Sequence, residues 1–243
     1  MKKCMSLVLC MLVLLCFVSC SDQPVHVYRT AVNEYYKADS YRIVAEGRIS
    51  CGAETETFNF KFRMQESDWS LTDMLSETSI VIDTKIKDVL FSSTSLSGVE
   101  SKVRRTITET EEATMLRPYR AVMNIPELAA DDMQDAKLVG YSNDRVFSAT
   151  VDKARFDKYV ENLLYEYGFT DVTDTVTVEE VTYTAKVDYD GSLTGLACEG
   201  TATVSRGDQT TVSATFEVDL FIETINSTHV SAPDDAAEYV QLP

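Results

Sequence analysis

Six cysteines, two histidines and a few carboxylate clusters are the residues of this 243-residue chain with chemistry to offer. Cys4, Cys10, Cys16 and Cys20 fall in the first twenty residues, which leaves Cys51 and Cys198 for the folded body. Two thiols in an exported chain can pair as a disulfide, or sit buried as small apolar groups; the sequence leaves both open. His26 and His229 stand near the two ends, with no metal-ligand spacing to a cysteine. Nucleophilic catalysis needs Ser or Cys beside a base in a recognisable turn, and no Gly-X-Ser-X-Gly occurs. Asp188-Tyr189-Asp190-Gly191-Ser192 has the acid spacing of a calcium loop. The sixth position, glycine in such loops, is Leu193, and the flanks read as strands, so a hairpin turn accounts for the Asp-Gly pair. Glu109-Glu111-Glu112, Asp131-Asp132 and Glu179-Glu180 read as solvated surface, and Asn226-Ser227-Thr228 fits a glycosylation pattern. These residue types point to no enzyme, no metal site and no cofactor.

The opening is more specific. Lys2 and Lys3 precede an unbroken apolar run from Leu7 to Val18. A basic start and a short apolar core make a signal peptide, too short to span a bilayer as a finished helix. Once residues 1–19 leave, Lys2 and Lys3 go with them, and the net charge moves from −17 to −19. That charge disfavours nucleic acid, whose phosphates need a positive surface, and electrostatic adhesion to anionic lipid. Any membrane attachment must therefore be covalent or apolar.

The elements that must position any site follow from periodicity. Val27 to Lys37 places Tyr28, Ala31, Val32, Tyr35 and Tyr36 on one face of a helix. Tyr41, Ile43, Ala45, Gly47 and Ile49 then alternate with polar residues, as do Phe58, Phe60, Phe62 and Met64. Two such runs with Cys51-Gly52-Ala53 between them predict an antiparallel hairpin. The middle is weaker: a strand over 79–86, an edge strand over 102–110, a short helix over 128–135 and an extended segment over 145–151. Val151 to Gly168 predicts a strong helix with Asp152 as cap and the stripe Phe156, Tyr159, Val160, Leu163, Leu164, Tyr167. Three long alternating runs follow, about 176–189, 193–204 and 211–225, joined by Asp190-Gly191 and Arg206-Gly207-Asp208. Strands this long must twist and coil, so the expected fold is α+β, built on a long-stranded, strongly curved antiparallel sheet.

Phe17-Val18-Ser19-Cys20 resembles the bacterial lipobox. The resemblance implies that Cys20 receives a diacylglyceryl thioether and becomes the mature N-terminus. It gives residues 1–19 as signal peptide, 20–26 as lipidated cysteine and tether, and 27–243 as one domain on the extracytoplasmic face of the cell membrane. Two acyl chains anchor stably where one does not.

Taken with the helix, the Tyr41-Arg42-Ile43 strand and the tail Ile225-Asn226-Ser227-Thr228-His229-Val230-Ser231-Ala232-Pro233-Asp234-Asp235-Ala236, the chain is similar to lipoproteins of the lipoprotein-carrier type, those of Lol carriers and mycobacterial lipoglycan-binding lipoproteins. That resemblance implies a half-open β-barrel with helices on its concave face, holding an acyl chain, another apolar ligand or an acylated partner. Phe58, Phe60, Phe62, Tyr183, Phe216 and Val218 are then the candidates to line the cavity. The same stripe is also what a filled core shows, and a filled core makes the chain an envelope interaction module without a small ligand.

Overall fold

Alternation of apolar and polar residues organises the structure, a computed structural model that describes residues 23–242 apart from 77, 142 and 143. Cys20 and the expected signal peptide, residues 1–19, lie outside the described residues. Ser40–Cys51 (β1) and Glu54–Gln65 (β2) form the expected hairpin, with Ala45 opposite Phe60 and Ile43 opposite Phe62. Asp68–Ser76 (β3), Ser79–Ile86 (β4), Val89–Leu96 (β5) and Val99–Thr106 (β6) continue it. Met133–Tyr141 (β7), Asp144–Val151 (β8), Thr175–Asp188 (β9), Leu193–Ser205 (β10) and Thr211–Ile225 (β11) form the other half. Val240–Gln241 (β12) adds a short parallel pairing to β6.

The order across the sheet is β12-β6-β5-β4-β3-β2-β1-β11-β10-β9-β8-β7. Apart from β12, every neighbour pair is antiparallel. The sheet is open and curved, as the strand lengths imply. Its coiling is visible where strands close up. A Cβ at Gly200 would lie 2.1 Å from the Glu180 carbonyl oxygen and 2.8 Å from the Phe216 ring, so only glycine admits that approach.

Three helices cover the concave face. Pro24–Tyr36 (α1) starts three residues before the expected Val27, because Pro24 suits a first turn, where its missing N–H costs nothing. Ala154–Glu166 (α3) carries the predicted stripe, with Phe156, Val160, Leu163 and Leu164 fully buried. The N-cap is Lys153, without a side-chain cap, rather than the expected Asp152, whose Oδ1 nonetheless accepts from the Ala154 N–H at 3.1 Å; Gly168 takes the left-handed conformation at φ +78°.

The third helix, Glu109–Met123 (α2), corrects the sequence reading. The strand expected over 102–110 stops at Thr106, and Thr108 opens α2 with a capping box: its Oγ1 accepts from the Glu111 N–H while Glu111 accepts from the Thr108 N–H. The helix expected over 128–135 is only a 3₁₀ turn at Ala130–Asp132 before β7. Asp132 there accepts from the Ala129 N–H and from Arg155, so it is not solvated surface. Nor is Glu112, which pairs with Lys85; Glu111 is exposed as expected, where it closes the cap and pairs with Arg105.

Cys51 and Cys198 are both buried free thiols. Register keeps them apart: Cys51 lies opposite Ala214 and Cys198 opposite Val218 of the same strand. Four residues of strand is about 13 Å, well beyond the reach of a disulfide. Burial pushes the Cys198 thiol up to about 12, so it carries no thiolate near neutral pH. The Asp188–Ser192 segment is a hairpin turn, with Asp188 Oδ1 accepting from the Ser192 N–H at 2.8 Å.

Candidate ligand cleft

Most of the concave face is filled. Of the six candidate cavity residues, Phe58, Phe60, Tyr183, Phe216 and Val218 are buried against the helices or neighbouring strands. The Phe58 ring meets Tyr167 at 5.7 Å, and Phe60 meets Tyr119 edge-on at 5.0 Å. The Tyr183 and Tyr28 hydroxyls hydrogen-bond at 2.9 Å, and Phe156 packs beside Tyr183. The Tyr159 hydroxyl likewise donates to the Val122 carbonyl at 3.2 Å, so these buried hydroxyls are paired as an ordered core requires.

Phe62 is different. It helps line a cleft of about 400 Å³ between α2 and the β1–β4 part of the sheet. Tyr41, Met64, Trp69, Leu116 and Met123 supply the other apolar walls. The volume lies within the range of small-molecule sites, which are mostly apolar with a few placed polar groups. A second depression, of about 370 Å³, lies on the outward face among Arg48, Glu180, Glu199 and Glu217. Its walls are mostly polar strand residues, with Val181 and Phe216, a candidate cavity residue, as the apolar exceptions at Gly200.

The cleft owes its shape to chain topology. The chain leaves β6 near one edge of the sheet and re-enters at β7, the opposite edge. The segment between, including α2, crosses the concave side. α2 presents Leu116, Val122 and Met123 inward, a sparse stripe for fifteen residues. Pro118 interrupts its hydrogen bonding as well. So thin a stripe leaves space beneath it that α1 and α3 do not leave.

A buried polar cluster fixes the floor. Lys85 Nζ pairs with Glu112 Oε2 at 3.1 Å and donates to the Ser67 carbonyl at 2.9 Å. Trp69 Nε1 donates to Glu112 Oε1 at 2.8 Å, and its ring stacks on Phe62 at 6.4 Å. Nearby, the Tyr119 hydroxyl donates to Asp73 Oδ2 at 2.6 Å. Burial and that carboxylate together hold the Tyr119 phenol far above its ordinary value, so it remains a donor at any physiological pH. Burial also raises the Tyr41 phenol, opposed by the charge of Arg120 on the last turn of α2.

Sequence reasoning missed Trp69, Lys85, Glu112 and the rest of α2. The readable signal was Thr108-X-X-Glu111, a capping box that announces a helix start.

Among the described residues, no group of three or more His, Cys, Asp or Glu could hold a metal ion, and no helix is long and apolar enough to cross a membrane. No protein-family model and no curated protein matches the sequence. Solved structures similar to it include the Mycobacterium tuberculosis lipoprotein LppX, at 12% identity over 86% of this chain and 98% of that one, with a TM-score of 0.39. Lipovitellin is similar at 11% identity over 80% of this chain and 26% of its own, with a TM-score of 0.33. A putative outer membrane lipoprotein-sorting domain from Vibrio parahaemolyticus is similar at 6% identity over 88% and 95%, with a TM-score of 0.20. None of these likenesses bears on the cleft or its occupant.

Proposed function

We propose that the chain is a lipid-anchored, extracytoplasmic binding protein that holds one apolar chain in the cleft under α2. The observation that carries this is the contrast between the two halves of the concave face: the α1–α3 half is closed, while about 400 Å³ stays open against Phe62, Met64, Trp69 and Leu116. The reading is of a carrier or sensor that binds without catalysis and without a cofactor.

Placement supports it. The cleft lies where β1 begins and where the β2–β3 turn at 66–67 sits. α1 lies along the same end: its last turn leads into β1, and His26 and Val27 stand beside the β9–β10 turn. Only residues 21–23 separate Cys20 from α1, a reach of at most about 14 Å. A lipid on Cys20 would therefore hold the cleft end close to the bilayer from which an acyl chain comes.

Native mass spectrometry of the Cys20→Ala protein purified from its own host tests the reading. A co-purifying apolar mass that leaves on collisional activation is the expected result. A protein that carries no ligand and takes up no fluorescent fatty acid is instead the envelope interaction module of the filled-core reading.

A further inference from the structure

We infer that the cleft selects an anionic single-chain amphiphile, whose acid head, carboxylate or phosphate, is held by Arg120. This rests on the cleft being the binding site. Two cations line the cleft, Lys85 and Arg120. Lys85 is already committed: Glu112 and the Ser67 carbonyl take its ammonium protons, and its side chain is only 9% exposed. Arg120 is exposed, and among the described residues its guanidinium has no ion-pair or hydrogen-bond partner. Its five donors are free to take an acid head in a two-pronged contact.

The charges of α2 are also sorted along the cleft. Glu109 and Glu112 lie eleven and eight residues before Arg120. At 1.5 Å per residue they stand about 16 and 12 Å from it along the helix. The acid end is neutralised in part by Lys85, and the basic end stays unpaired. Between them lie Ala113 and Leu116 of the helix, with Met123 a turn beyond Arg120, and Phe62 and Met64 of the sheet line the same cleft. An amphiphile would lay its tail on this apolar stretch and its head at Arg120. The Tyr41 hydroxyl, near enough for Arg120 to oppose the effect of burial on it, makes no hydrogen bond among the described residues and is a second donor for the head.

Trp69 is the single tryptophan of the chain and lines the cleft, so its emission reports occupancy. The Cys20→Ala protein is titrated below micelle concentration with laurate, dodecyl phosphate and dodecanol, which share a tail and differ in the head. Laurate or dodecyl phosphate should bind about tenfold more tightly than dodecanol at low salt, and added salt should shrink the difference. The stronger of the two acids identifies the head. Arg120→Gln should abolish the preference by weakening both acids about tenfold more than it weakens dodecanol. Arg117→Gln, one residue type at a nearby exposed position paired with Glu166, should keep it. Dodecanol binding with no acid preference, or a preference that survives Arg120→Gln, overturns the head-group assignment and spares the cleft. No Trp69 response to any of the three overturns both.

Discussion

Phe216→Asp is expected to remove about 5 kcal/mol of stability, enough to leave the domain largely unfolded. Phe216 is 3% exposed, pairs with Ile49 on one side and Gly200 on the other, and fills the hollow over Gly200. Its replacement empties that hollow and places a carboxylate at a position that is 3% exposed in the apolar core. Thr215→Asp, one residue away on the outward face, should cost less than about 1 kcal/mol. Urea unfolding followed by circular dichroism reads both. Similar midpoints for the two variants contradict the assignment of faces and the register of β11.

The second large effect is at the cleft floor. Glu112→Ala should cost about 3 kcal/mol, because it leaves the Lys85 ammonium and the Trp69 indole N–H without their shared carboxylate. The side chains are 9% and 17% exposed, so solvent does little to compensate. Replacing both partners, Lys85→Met with Glu112→Leu, should recover the part of the loss due to the orphaned ammonium, about half, while the Trp69 N–H stays unpaired. A single-variant loss below about 1 kcal/mol, or a double variant no better than the single, contradicts a buried pair at this position.

The fold was legible where a strand has one wet and one dry face. Phe58, Phe60 and Phe62, and the run from Val212 to Ile222, announce β2 and β11 because every second residue must be apolar. Gly168 marks the end of α3 because a left-handed residue there favours glycine, and Asp152 locates its start to within one residue of the Lys153 N-cap. β3 and β5 are harder to see. β3 buries only Trp69 and Leu71, and β5 buries the adjacent Leu90 and Phe91 before the unpatterned run Ser92-Ser93-Thr94-Ser95. α2 has the same defect, too few apolar residues and an internal proline, and it is the element that builds the cleft. Which side chains face a cavity depends on where a helix crosses a sheet, and no local pattern encodes that. Hence Phe62 lines the cleft while Phe58 and Phe60, identical in type and periodicity, are closed off by Tyr167 and Tyr119.

The central claim, that an apolar ligand occupies the space under α2, is tested most directly by filling it. Ala113 lies on α2 at the cleft wall and is exposed, so a larger side chain there enters the space without displacing core residues. Ala113→Trp should leave the unfolding midpoint within about 0.5 kcal/mol of the parent. The same substitution should remove the co-purifying mass seen by native mass spectrometry and lower dodecanol affinity at least tenfold. An Ala113→Trp protein that keeps its ligand and its affinity contradicts the claim and places the binding site elsewhere.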